Sequence, residues 1–292
     1  SSIYSGSAYV IRGGGWSDYL GDCTVSSRYG QEPISMDHHF GGFRVCRDTP
    51  DMKWVYINND QGVSGHERFD GYMSKYETTN AQYCQFLNDA NASGDITVSG
   101  NLVYGANGSN GGADFVGRLY YDGDGPGWDS DGSTKGGAAR INYSGGVFSV
   151  DSGFENHPVS YVSWRGATAF CNYYGYRLPT EWEWQAVADY DGSYTYGCGT
   201  SINNSIVNYF GSNHPDGTTV VGSVGDPLGY GYGMYDMAGN ANEWTSSIYG
   251  GSSRVLRGGG WYQPDDDYCT VSYRNDLNAH SPEVSVGFRV CR

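Results

Sequence analysis

Seven cysteines are the residues of this chain best able to do chemistry, and their positions say more than their number. Cys23 and Cys46 match Cys269 and Cys291, because two distant stretches are the same piece of sequence. Ile3-Tyr4, Val10-Ile11-Arg12-Gly13-Gly14-Gly15-Trp16, Cys23-Thr24-Val25-Ser26, Arg28 and Gly42-Phe43-Arg44-Val45-Cys46-Arg47 form the first copy. Ile248-Tyr249, Val255-Leu256-Arg257-Gly258-Gly259-Gly260-Trp261, Cys269-Thr270-Val271-Ser272, Arg274 and Gly287-Phe288-Arg289-Val290-Cys291-Arg292 form the second. A cysteine pair in each copy can serve metal or redox chemistry, or close a disulfide. No Cys-x-x-Cys occurs, so a thioredoxin-like or zinc-ribbon site has no support. The acidic, Tyr-rich, Lys-poor composition points to an exported, extracellular or cell-surface protein, and each pair is read as a structural disulfide. Cys84, Cys171 and Cys198 are an odd remainder in which at least one thiol is expected to be free and buried.

Other reactive side chains form weaker patterns. His38-His39, His66, His214 and His280 fall in loop-like sequence without His-x-x-x-His spacing, and His157 before Pro158 reads as a structural hydrogen-bonding group. Glu181, Glu183 and Glu243 could act as acid and base, but the first two stand at a helix start, where capping and the helix dipole account for them. Asp122, Asp124, Asp129 and Asp131 crowd a Gly-rich loop of the kind calcium uses. Pro126 and Ser133 stand where an EF-hand loop needs acids, so that motif fails and a solvated acidic loop is the default.

Few regular elements position these groups. Thr79-Asn80-Ala81-Gln82 is a capping box, and Tyr83, Phe86, Leu87 and Ala90 follow at helical spacing, predicting a helix over about 80–91. Ser163 caps a second helix, with Trp164, Ala167, Phe170 and Cys171 on one face and Gly175 as its stop. Thr180 and Glu183 form another capping box. From about 92 to 155 the chain reads as an insertion of hairpins and loops, with strands over 139–143 and 146–150 around a Ser144-Gly145 turn.

Composition narrows the function. The 17 Lys+Arg against 32 Asp+Glu give a formal charge of −15, which repels phosphate backbones and anionic headgroups and argues against nucleic-acid or membrane-surface binding. No apolar run is long enough to span a bilayer and no amino-terminal basic-apolar signal segment is present in this sequence, so Ser1 reads as a processed start or a cut end. With 46 Gly, 27 Tyr and 8 Trp in 292 residues, the chain suits a loop-rich domain held by aromatic packing.

Five ordered blocks carry a family resemblance: Phe69 to Asn91, His157 to Cys171, Tyr176 to Trp184, Gly233-Met234-Tyr235-Asp236-Met237-Ala238-Gly239-Asn240-Ala241-Asn242-Glu243-Trp244, and Arg257 to Arg289. Together they resemble the formylglycine-generating enzyme (sulfatase-modifying factor) family. The resemblance implies an α+β fold, the family's loop-rich variant of the C-type-lectin fold, over 52–292. The duplicated C-terminal block at the N-terminus, 1–47, would pack in cis or on a neighbouring subunit. Oxygen-dependent members carry two copper(I)-binding cysteines, separated by four residues, before Gly-Phe-Arg. Here only Cys269 lies between Trp261 and Gly287, so copper and the sulfatase-modifying activity are not expected. The resemblance also implies structural calcium, held at one site by Asn240, Ala241 and Glu243, and at another by Asn208 and Tyr209 with Asn213 or Asp216.

Three function classes remain. A non-catalytic, exported structural or assembly protein, self-associating or polymerising through its N-terminal repeat, is favoured. A fragment of about 47 residues is near the lower limit for folding alone and carries apolar Ile11, Trp16, Phe40 and Phe43 that need cover. A heterologous contact that does not close would generate filaments. The alternative is a module binding a glycan or protein through a Tyr/Asp/Asn-rich face of Tyr262, Asp265, Asp266, Asp267, Tyr268, Tyr273, Asn275 and Asn278. An enzyme of unrecognised chemistry, including a sulfatase-modifying oxidoreductase, is the third.

Overall fold

Thr79 starts the first helix as the capping box requires. Its hydroxyl accepts from the Gln82 N–H, and the Gln82 side chain accepts from the Thr79 N–H, so two otherwise orphaned donors are satisfied. Helix α1 (Asn80–Ser93) ends at Gly94 in the left-handed conformation, φ 75°. Helices α2 (Trp164–Tyr174, capped by Ser163 and stopped at Gly175) and α3 (Glu181–Ala188, capped by Thr180 with Glu183) follow the same rules.

The computed structural model describes residues 49–58, 68–108, 111–126, 138–212 and 217–292, together with backbone pairing at 9–11 and 29–31. Ser1–Thr49 and Pro50–Arg292 are separate units. In the first, β1 (Tyr9–Ile11) runs antiparallel to β2 (Tyr29–Gln31), with Tyr9 opposite Gln31 and Ile11 opposite Tyr29.

The second unit begins with the hairpin β3 (Trp54–Asn58) and β4 (Asp70–Ser74). After α1, the long insertion forms a three-stranded sheet from β5 (Ile96–Ser99), β6 (Leu102–Gly105) and β7 (Leu119–Asp122), then the hairpin β8 (Ile141–Ser144) and β9 (Val147–Val150). The β8–β9 turn is Gly145-Gly146, one residue later than the sequence suggests. Both glycines have positive φ, 61° and 88°, as a two-residue hairpin turn demands.

The last 50 residues supply most of a four-stranded sheet ordered β12-β11-β10-β13. Its strands are β10 (Asn242–Gly250), β11 (Ser253–Arg257), β12 (Asn275–Asn278) and β13 (Val286–Gly287), the last parallel to β10. In β11 and β12, Arg254 faces Leu277 and Leu256 faces Asn275. These residues correspond in the repeat to Tyr9, Gln31, Ile11 and Tyr29, so both copies form the same hairpin in the same register. No described helix is long and apolar enough to cross a membrane.

The main core lies between α1, α2, β7 and the chain after β13. Tyr83, Phe86, Phe170 and Phe288 are fully buried there, with ring centroids 5.3 to 6.1 Å apart in mostly tilted or edge-on contacts. The close approach of α2 to β7 depends on Gly166, where a Cβ would stand 2.2 Å from the Tyr120 carbonyl oxygen.

Candidate functional site

The family blocks meet in two buried polar clusters that brace the C-terminal block. Glu181, opening α3, accepts from Arg257 at 3.0 Å and from Arg274 at 2.7 Å. Its backbone N–H donates to the Ser247 hydroxyl oxygen. Glu243 on β10 receives Arg289 on both oxygens at 2.6 Å, and Trp184 Nε1 donates to it at 2.8 Å. Arg289 also donates to the carbonyls of Ser74 and Tyr235. Burial alone would lower its pKa, but Glu243 outweighs that and holds it above the ordinary value.

Beside this pair lie two more carboxylates. Glu77, almost wholly buried, accepts from Asn240 Nδ2 at 2.6 Å and from the Ala241 N–H at 2.8 Å. Burial raises its pKa well above the usual range, and Asp236 and Glu243 add to the effect. Asp236, which accepts from the Gly222 N–H, is pushed up to about 6, chiefly by desolvation.

These bonds engage the side chains of the expected first calcium site. Both Glu243 oxygens hold Arg289, while Asn240 Oδ1 accepts from the Thr219 N–H and Asn208 Nδ2. The Asn240 and Glu243 side chains therefore form an internal brace, with their oxygens already used within the protein. At the second site Asn208 Oδ1 accepts from Ser212 Oγ and the Tyr209 carbonyl from the Ser212 N–H; Asn213 and Asp216 lie outside the described residues. Among the described residues no group of three or more His, Cys, Asp or Glu gathers as a metal site. Asp129 and Asp131 of the acidic loop are outside them too, and Asp122 accepts from the Asp124 N–H.

The disulfide expectation is also corrected for the second copy. Cys269 and Cys291 are free, buried thiols. Cys269 packs with Cys198, Val207 and Ala238, whereas Cys291 packs with Met73 and Trp184 in another cluster. Backbone pairing of Cys291 with Arg177, 2.8 and 2.9 Å in the two directions, fixes it there. Cys23 and Cys46 lie outside the described residues. Cys84, Cys171 and Cys198 are free and buried, as expected of at least one. Burial pushes the Cys269 thiol up to about 12, so this one cysteine between Trp261 and Gly287 is poorly disposed to act as a thiolate.

A cavity with open access lies elsewhere, at the edge of the C-terminal sheet. It has a volume of about 400 Å³ and runs between the β11–β12 hairpin, the start of β10, Tyr262-Gln263 and residues 283–286. Buried Leu256, Val284 and Val286 form apolar surface, and Tyr262, 44% exposed, forms a wall. Asn242, Asn275, Asp276 and Glu283 supply polar groups.

Two residues of the Tyr/Asp/Asn-rich face, Tyr262 and Asn275, thus meet in the cleft. Asp266 instead accepts from Tyr196 at 3.3 Å, and Tyr268 packs on Tyr273 at 4.9 Å; none of these three lines it. Asn242, Asp276 and Glu283 were not foreseen. Asp276 could have been found, since it follows Asn275 in the same polar run, but Asn242 and Glu283 arrive from distant segments. His157 has its structural partner, Thr218 Oγ1 at 3.0 Å.

A small sheet carrying its cleft on the terminal hairpin, with short helices and long loops around it, defines a C-type-lectin-like domain of the formylglycine-generating-enzyme type. The sulfatase-modifying factor enzyme 1-like domain profile matches residues 59–292, and the chain belongs to that family. Serine/threonine-protein kinase pkn1 of Chlamydia caviae is 35% identical over 176 residues, which cover 53% of this chain and 27% of that protein. The inactive C-alpha-formylglycine-generating enzyme 2 of Mus musculus is 34% identical over 148 residues, 45% of this chain and 48% of that one. The matches thus cover less than half of either relative. The crystal structure of CarF shares the fold, with a TM-score of 0.53 over 82% of this chain and 96% of CarF at 18% identity.

Proposed function

We propose that this is a non-catalytic member of the family that binds a ligand in the cleft between β12, Tyr262 and residues 283–286. The observation that carries the reading is an open cavity combining apolar surface with polar groups, of which the Asp276 and Glu283 carboxylates have no partner among the described residues, the usual make-up of a recognition site. The terminal block brings no thiol to it, since Cys269 and Cys291 are buried in two other clusters. Likeness to an inactive relative supports the same view. Filling the cleft with Leu277→Trp and probing glycan and peptide arrays tests it. Ligands of the unchanged chain should lose about tenfold or more in affinity while the melting temperature holds. Ligands bound equally by both proteins would place recognition elsewhere and overturn the reading.

A second reading, assembly, is favoured by the repeat. Arg257, Arg274 and Arg289 seat the C-terminal copy on Glu181 and Glu243, and Arg12, Arg28 and Arg44 are their counterparts in the N-terminal copy. Among the described residues of 50–292 one such pair of carboxylates occurs, engaged by the second copy. On this reading the N-terminal copy seats on a neighbouring subunit by exchanging with that subunit's own second copy. Sedimentation should give a mass that grows with concentration, abolished by Arg12→Glu with Arg44→Glu. A single-chain mass for the unchanged protein at every concentration excludes it.

A further inference from the structure

The lining of the cleft has a one-sided chemistry. Asp276 and Glu283 bring two carboxylates, and no lysine, arginine or histidine lines the cavity. Neither carboxylate has a cation or hydrogen-bond donor among the described residues, unlike Glu181 and Glu243, which are fully engaged. Partial burial raises the Glu283 pKa, so its charge is held there at a cost.

Asn242 adds an independent sign. Its side chain is 2% exposed and lines the cavity. The carboxamide nitrogen makes one long bond, 3.4 Å, to the Ser285 carbonyl, and the oxygen has no partner among the described residues. The oxygen is not one of the sealed, partnerless side-chain atoms, so it keeps contact with solvent and stays open to a donor entering the cavity. The Asn275 side-chain oxygen, by contrast, is already used by the Asp276 N–H.

Unpaired acceptors and negative charge beside an aromatic wall and an apolar floor call for a ligand with several N–H donors, positive charge and a methylene stem. Resting on the cleft reading above, we propose that the cleft receives an arginine side chain of a protein partner. The guanidinium supplies a planar set of donors for Glu283, Asp276 and Asn242, its stem lies along Leu256, Val284 and Val286, and Tyr262 offers a ring face to the cation. A formal charge of −15 on the whole chain draws basic partners toward it.

The test uses a fluorescein-labelled peptide bearing two arginines spaced by glycine and serine, and the same peptide with citrulline, which keeps the shape and loses the charge. Anisotropy titration of the full chain should saturate with the arginine peptide and be weaker by about tenfold or more with citrulline. Glu283→Gln and Asp276→Asn should each weaken arginine binding by a similar factor with melting temperature unchanged, and Leu277→Trp should abolish it. Equal binding of both peptides, or arginine binding that survives both carboxylate changes, overturns the proposal. If array ligands are blocked by Leu277→Trp yet the arginine peptide does not bind, the arginine assignment falls and the cleft reading stands. If Leu277→Trp affects no ligand at all, both fall.

Discussion

Replacing Arg289 by Met is expected to cost about 3–5 kcal/mol of stability, among the largest losses of any single change. Met matches much of the volume, so packing is nearly spared. What is lost is the one cation paired with Glu243 among the described residues, and the Glu243 side chain is fully buried. The cost of a buried charge left without its partner exceeds the small net value of most hydrogen bonds. Replacing both partners by apolar residues would not restore stability. Arg289 also satisfies the Ser74 and Tyr235 carbonyls, and Glu243 accepts from Trp184, so three further groups would be orphaned.

The loss should depend on pH with a definite sign. Arg289 lowers the pKa values of Glu77 and Asp236 against the larger opposing effect of burial. Without it both carboxyls rise further in the folded state, which then takes up protons more readily than the unfolded chain. A raised carboxyl stabilises fully below its unfolded value, and that contribution fades as pH climbs through the folded value. For Asp236 the window already runs from 3.8 to about 6. The deficit of the Arg289→Met protein should therefore be largest at pH 7.5 and narrow toward pH 5. Urea midpoints of both proteins across that range measure it; a deficit independent of pH would detach Arg289 from these two carboxyls.

What could be read from sequence and what could not divide by the distance between partners. Thr79 with Gln82, and Thr180 with Glu183, are three residues apart, so their capping boxes and the helices they open are visible in the linear chain. The β8–β9 hairpin is visible for the same reason, missed by one residue because both Ser144-Gly145 and Gly145-Gly146 suit a turn. Glu181 and Arg257 stand 76 residues apart, and nothing local in either says that they meet. The resemblance put Asn240 and Glu243 at one calcium site, but Glu77, Thr219 and Asn208 hold Asn240 while Arg289 holds Glu243, and none of these partners is near in sequence. Repetition misled in the case of cysteine. Cys269 and Cys291 recur with Cys23 and Cys46 because the whole block recurs, and the fold sends the two thiols into different apolar clusters. In the cleft, Tyr262 and Asn275 were legible as contact residues, whereas Asn242 and Glu283 gain meaning only when β10 and the segment before β13 converge.

Phe170→Ala should lower stability by about 3–5 kcal/mol, comparable to the loss of the buried ion pair but by a different route and without its pH dependence. Phe170 is fully buried. Its ring centroid lies 5.1 Å from Tyr174, 5.4 Å from Phe288, 5.7 Å from Phe86 and 6.0 Å from Tyr83. These neighbours come from α1, from α2 itself and from the chain after β13, so no single element can shift to fill the space. Tyr83 is further constrained by Gly166, where even an added Cβ would approach its hydroxyl to 2.6 Å. A cavity should persist, and its cost adds to the lost burial. Phe170→Leu keeps most of the volume and should cost about 1.5 kcal/mol or less. Because Phe288 belongs to the Gly-Phe-Arg end of the terminal block, the alanine change should also speed amide exchange at 288–291, where Thr78, Ser74 and Arg177 pair with the chain. A loss in Phe170→Ala no larger than in Phe170→Leu would mean that the surrounding rings close the gap, and that aromatic packing here is adaptable rather than fixed.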